Sequence, residues 1–207
     1  MRYICLVLLS SFLIGADDNA PVHRTRDREV DIQHIKIDVT VDIENESVYG
    51  HVVHTLSALH PSLESFSLDA SDMIIRRVQA NNKDIRFNHT DDKLLIILDN
   101  SIGWDDKIDI RIDYSAKPLL GTFFFKPDET YPDQPWQAWT QGEETDNHHW
   151  VPLYDYPNDR STFETILTVD QRFQAVSNGE LLSVKKNKNG THTWHWRENF
   201  PMVAYLI

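Results

Sequence analysis

Apolar residues fall on every second position near the start of the chain. Ile35, Ile37, Val39, Val41 and Ile43 alternate with Lys36, Asp38, Thr40 and Asp42. Strand side chains point alternately to two faces, so this pattern predicts a strand with one buried and one wet face. Asn45-Glu46-Ser47 predicts a turn, and Tyr49-Gly50 leads into a second apolar run over 52–59. The two runs together predict a long antiparallel pair. Phe66, Leu68 and Ala70 alternate, Ile74-Ile75 with Val78 form a short run, and Ile108, Ile110, Ile112 and Tyr114 alternate again. Residues 93–98 are nearly continuous in apolar character between Asp91-Asp92 and Asp99-Asn100, as in a strand buried on both faces. Residues 123–125, 162–169, 175–176 and 194–196 are further strand candidates. Turn residues recur about every 8–12 positions, and no stretch of ~12 residues carries a 3.6-residue period. The pattern predicts an all-β, mostly antiparallel β-sandwich over residues 31–207, with the 35–43 face buried and helix a minor component.

The first residues break this pattern. Arg2 supplies a positive start, an apolar run over 4–14 is interrupted only by Ser10-Ser11, and Gly15-Ala16 precede the polar Asp17-Asp18. This is the layout of a signal peptide over 1–16, too short to cross a bilayer, which takes about 20 apolar residues. A buried first strand or a short membrane anchor is the competing explanation, and Ile14 is bulky for the position before the cleavage site. The layout predicts a secreted or periplasmic protein with no membrane anchoring after cleavage. Cys5, the single cysteine, lies inside this segment, so the mature chain would hold no disulfide. Residues 17–30 are polar and mixed in charge, as expected of a linker.

Composition narrows the class. The chain has 207 residues, 41% of them hydrophobic, enough for one ordinary globular core. A formal charge of −12 repels phosphate backbones and argues against a nucleic-acid partner. It suits solubility, or attraction of a cationic group such as a peptide's amino terminus. Six of the nine prolines lie between Trp104 and Pro157, a stretch rich in aromatics. Proline cannot donate to a sheet ladder, so much of this stretch is expected to form structured loops and edge pieces, where functional groups concentrate.

Within that stretch, Gln141-Gly142-Glu143 stands out. On an extended backbone Gln141 and Glu143 point to the same side, and Gly142 leaves the backbone open to close approach. A carboxylate beside a carboxamide makes a seat for a substrate ammonium. A solvated strand face is the plain alternative for so short a pattern. His148-His149 is the nearest approach to a metal-binding pair. Adjacent strand residues point to opposite faces, so ordinary loop or packing roles are expected of them.

The block Trp139-Thr140-Gln141-Gly142-Glu143, then Trp150-Val151-Pro152 and Asp155-Tyr156-Pro157-Asn158-Asp159-Arg160, resembles the end of the first domain of the aminopeptidase N family. Phe163-Glu164 with Thr168-Val169, the run Ala175-Val176-Ser177-Asn178-Gly179, Trp194-His195-Trp196, and Pro201 with Tyr205-Leu206 extend the resemblance downstream. Val48-Tyr49-Gly50, Leu68-Asp69-Ala70 and Tyr114 with Pro118 and Gly121 extend it upstream, so that it covers roughly residues 31–207. It implies a saddle-shaped β-sandwich that anchors substrate for a zinc aminopeptidase. Carried over, Glu143 binds the free α-amino group of a peptide and Gln141 lines the first side-chain pocket. Leu153 departs from the family, many of whose members carry cysteine there. Two motifs of the family, H-E-x-x-H and G-A-M-E-N, are absent from the chain. The resemblance therefore implies that zinc is bound outside this chain, on a catalytic domain that would be its partner together with the peptide amino terminus. The sequence stops within the apolar run 203–207, so the domain is expected to be incomplete at that end.

Two further expectations remain. Asn45, Asn88 and Asn189 each open an N-x-S/T acceptor pattern for glycosylation. The tryptophans Trp104, Trp136, Trp139, Trp150, Trp194 and Trp196 leave open a second function: a secreted, non-catalytic β-sandwich that binds carbohydrate or protein through exposed rings. Core packing and hinge loops are the plainer explanation for them.

Overall fold

The computed structural model describes residues 25–104 and 106–207. The segment read as a signal peptide, Cys5 and most of the expected linker lie outside these residues.

Thirteen strands follow one another among the described residues. They are β1 (Val30–Asp42), β2 (Ser47–Ala58), β3 (Leu63–Asp69), β4 (Met73–Ala80), β5 (Lys83–Asp84), β6 (Arg86–His89) and β7 (Lys93–Ile102). Then come β8 (Lys107–Ala116), β9 (Thr122–Phe125), β10 (Gln137–Thr140), β11 (Ser161–Asp170), β12 (Glu180–Lys186) and β13 (Thr191–Met202). The helices among the described residues are two single 3₁₀ turns, Asn147–His149 and Ala204–Leu206. The large sheet has eight strands in the order β12-β13-β11-β1-β2-β8-β4-β5. A three-stranded sheet, β3-β7-β6, and the β9–β10 hairpin complete the fold. This is the all-β, sandwich-like architecture that the alternation predicts.

Strand β1 shows why. Ile35, Ile37 and Val39 are buried, while Lys36, Asp38 and Thr40 are half-exposed on the other face. Its register with β2 sets Ile37 opposite Val52 and Ile35 opposite His54. A slip of one residue would turn the whole apolar set outward, so burial of one face fixes the register. Val52, Leu56, Ile110, Ile112 and Tyr114 continue that face, and Phe66, Leu68, Leu94 and Ile96 of the small sheet join them in one buried cluster. The turn after β1 is closed by Asp42, whose carboxylate accepts from the Asn45 N–H at 3.0 Å and from its Nδ2 at 2.8 Å.

Two expectations are corrected. Residues 93–98 are not buried on both faces: Leu94, Ile96 and Leu98 are buried but Leu95 and Ile97 are only half so. Strand β7 is the centre of a sheet that covers the core with one face and leaves the other to solvent. Residues 175–176 form no strand but part of the loop between β11 and β12. The polar run before β1 is fastened to the fold at its end: Arg26 pairs with Asp69 at 2.5 Å, Arg28 pairs with Asp159, and Val30 already belongs to β1. One pairing has no counterpart in the alternation: β1 runs parallel to β11, with Ile35 opposite Phe163 and Val39 opposite Leu167.

Candidate functional site

The β9–β10 hairpin carries the chain into Gln141-Gly142-Glu143. Trp139 lies opposite Phe123 and Thr140 opposite Thr122, and the Gln141 N–H donates to the Gly121 carbonyl at 2.9 Å. Gly121 has φ of 74°, a conformation that costs a residue with a Cβ, and a Cβ there would collide with the Asp146 carbonyl. From Glu143 to Asp146 the backbone turns, and the Asp146 N–H donates to the Gly142 carbonyl at 2.9 Å.

Asn147 holds this loop from beneath. It is completely buried (0% exposed). Its Nδ2 donates to the Ala204 carbonyl at 2.7 Å, and its Oδ1 accepts from Trp150 Nε1 at 2.8 Å. Its amide lies so close to Gly142 that a Cβ at that position would overlap it. The result is a buried Gly142 flanked by two exposed side chains, Gln141 and Glu143. The strand ends at Thr140, so the shared direction expected of Gln141 and Glu143 does not follow from strand period: Glu143 opens the turn.

His148 and His149 sit in the 3₁₀ turn, not on a strand, and their rings are 4.4 Å apart rather than on opposite faces. Each Nδ1 is engaged by a different carboxylate, His148 with Asp155 at 3.0 Å and His149 with Asp72 at 2.7 Å. Burial alone would lower the His148 pKa, but the hydrogen bond and the charge of Asp155 outweigh it and raise it. Asp155 is itself buried. Its N–H donates to Asp69 at 2.9 Å, and Asp69 also accepts from Arg26 and Lys93. Leu153 is completely buried and bridges to Asp69 by two backbone hydrogen bonds of 2.8 and 3.1 Å. These contacts pin the 147–159 stretch to the small sheet and so fix the floor under Gly142.

Zinc does not fit the described residues: no group of three or more His, Cys, Asp or Glu side chains among them could hold a metal ion. The three acceptor asparagines Asn45, Asn88 and Asn189 are all exposed. Of the tryptophans only Trp150 is buried; Trp104, Trp136 and Trp139 are exposed and Trp194 and Trp196 are half-buried, so core packing accounts for one of them. Asn147, Gly121 and Asp155 carry no sequence signal of their own as supports of the loop.

The loop-rich end of this layered all-β domain thus exposes a glutamine and a glutamate on either side of a buried glycine braced by Asn147. The chain belongs to the Peptidase M1 N-terminal domain family, whose model matches residues 31–206. It is 23% identical over 183 residues to leucine aminopeptidase 2 of Vanderwaltozyma polyspora, covering 85% of this chain and 27% of that protein. To leukotriene A-4 hydrolase of Xenopus laevis it is 22% identical, covering 85% of this chain and 30% of that protein. Among solved structures it is similar to an M1 zinc metallopeptidase from Deinococcus radiodurans, with TM-score 0.75 and 24% identity over 86% of this chain and 41% of that chain. It is also similar in fold to the yeast LTA4 hydrolase, with TM-score 0.70 and 17% identity over 86% of this chain and 28% of that one. The chain thus spans less than half the length of each of these relatives.

Proposed function

We propose that this chain is the substrate-anchoring domain of a secreted zinc aminopeptidase that removes amino-terminal residues from peptides. Glu143 accepts hydrogen bonds from the peptide's α-ammonium, and Gln141 lines the pocket for the first side chain. Holding the ammonium fixes the position of the first peptide bond, so one residue is removed at a time. The metal and the activation of water belong to a catalytic domain outside this chain, which covers only 27% of leucine aminopeptidase 2. Secretion rests on the apolar run of residues 4–14.

The observation that carries the proposal is the brace under Gly142. An exposed carboxylate on a loop held by a fully buried asparagine is preorganised, so little ordering cost is left for the moment of binding. The test is Glu143→Gln in the full-length enzyme, assayed on a peptide with a free and with a blocked amino terminus. A hydrogen bond to a charged group contributes about 1.5–3 kcal/mol, so kcat/KM on the free peptide should fall roughly 10- to 150-fold. An unchanged preference for the free amino terminus would remove the anchoring role.

A further inference from the structure

The turn that opens at Glu143 runs straight into the 3₁₀ turn. The Asp146 N–H closes it on the Gly142 carbonyl, and the His149 N–H donates to the Asp146 carbonyl at 3.3 Å. The next fixed point is His148. Its backbone N–H and its Nδ1 both reach Asp155 Oδ2, at 2.9 and 3.0 Å, and its carbonyl accepts from the Ser71 N–H at 2.9 Å. The His148 side chain is 19% exposed and that of Asp155 only 1%.

Asp155 depends on that ring. Among the described residues its Oδ1 has no hydrogen-bond partner, and His148 is the one side chain that reaches its Oδ2. A carboxylate taken out of water needs a counter-charge, and removing that charge is costly. The other cations nearby are engaged elsewhere: Arg26 and Lys93 pair with Asp69. The His149 ring, 4.4 Å away, is turned to Asp72, and His89 on β6 lies 3.0 Å from the Ala70 carbonyl. Burial opposes a charge on His148, but the hydrogen bond and charge of Asp155, the charge of Asp69 and the Thr145 backbone outweigh it. Thr145 lies inside the turn that carries Glu143. An imidazolium donates from both ring nitrogens, which serves Asp155 and the Thr145 carbonyl together; a neutral ring has one N–H to give.

We propose that His148 is a positioning residue for Glu143: as an imidazolium it ties the 143–146 turn to the buried Asp155 carboxylate, and without its second proton it holds the turn less closely and the peptide's ammonium is met less well. The proposal rests on the reading of Glu143 as the ammonium anchor. The tie is complete below the ordinary histidine value of about 6.5, and it is lost as pH rises through the higher value that His148 has in the folded chain.

The test uses the full-length enzyme and a peptide with a free amino terminus, with kcat/KM measured from about pH 6 to about pH 9. The substrate and the catalytic domain titrate in that range too, so each variant is compared with wild type at the same pH, where those effects cancel. His148→Gln, with one neutral donor, should fall about 10-fold below wild type at about pH 6 and come within about twofold of it at about pH 9. His148→Arg, a permanent cation with donors on two sides, should stay within about threefold of wild type at about pH 6 and exceed it at about pH 9. A ratio to wild type that does not change with pH would overturn the proposal, and the arginine variant alone reads it if the glutamine variant does not fold. In a Glu143→Gln background, His148→Gln should add no pH-dependent loss, because its effect passes through Glu143; a pH-dependent loss that persists there would also overturn it. Failure of the anchor reading looks different: Glu143→Gln alone would then leave the preference for a free amino terminus intact, whatever the ratios at His148.

Discussion

Asn147 is the residue on which the candidate site turns. Its side chain satisfies both the Ala204 carbonyl and the Trp150 indole N–H while filling the space under Gly142. Replacing it with alanine leaves two buried polar groups unpaired, each at a cost of about 1–3 kcal/mol. Asn147→Ala should therefore lower the unfolding free energy by several kcal/mol in a urea titration, whereas Gln141→Ala, on an exposed side chain, should change it by less than about 0.5 kcal/mol. Equal effects from the two would show that the brace contributes nothing. That Gln141 and Glu143 flank a glycine within a loop-rich stretch was legible in the sequence. Asn147 was not, because its role depends on a carbonyl 57 residues away, and nothing in N-H-H-W says that the asparagine faces inward.

At the scale of elements, the alternation predicted what it could reach. Strands β1, β2, β3 and β8 follow directly from period-2 burial, since each has one face on the core. The apolar content of 93–98 misled, because composition alone cannot tell a strand buried twice from one buried once with apolar residues on its open face. Strand β12 has the opposite problem. It is the edge of the large sheet, and all seven of its residues are exposed. Leu181 and Val184 lie opposite Trp196 and Trp194 of β13, so an apolar strip reaches the edge. An exposed apolar edge invites strand addition. The isolated chain should therefore self-associate with rising concentration in sedimentation, and Val184→Lys should reduce that association. A chain that stays monomeric at every concentration, with or without the lysine, would count against the edge as the cause.

For the whole molecule, two buried groups contribute to the pH dependence of stability in opposite parts of the acid range. His54 is fully buried in β2, with Nε2 2.8 Å from the Pro152 carbonyl, and burial holds its pKa down to about 4. An unfolded histidine titrates near 6.5. The unfolded chain therefore gains a proton that the folded chain refuses, and the stability present above about 6.5 is lost as pH falls towards 4. The difference corresponds to about 3 kcal/mol. Glu164 on β11 acts lower. Burial pushes its pKa up, but hydrogen bonds from Arg197 and His195 and the charge of Lys36 bring it to about 2. Its contribution is present above the ordinary glutamate value and is lost as pH falls from there to about 2. Urea titrations from pH 7 to 4 should show stability falling by up to about 1.4 kcal/mol per pH unit, and His54→Leu should flatten that slope. An unaltered slope in the variant would mean that other groups set the acid limit.

The parallel pairing of β1 with β11 has a consequence for the chain while it is being made. Strand β1 has β2 on one side and β11 on the other, and the roughly 120 residues between Asp42 and Ser161 must be synthesised before the second side can close. At about 5–20 residues per second, the ribosome takes roughly 6 to 24 s to supply them. Until β8 is made the β1–β2 pair is open at both edges, and until β11 is made β1 keeps an open edge beside an apolar face whose cover is still incomplete. Sheet closure therefore waits on translation, and a chaperone able to hold that first hairpin has a window of seconds in which to act.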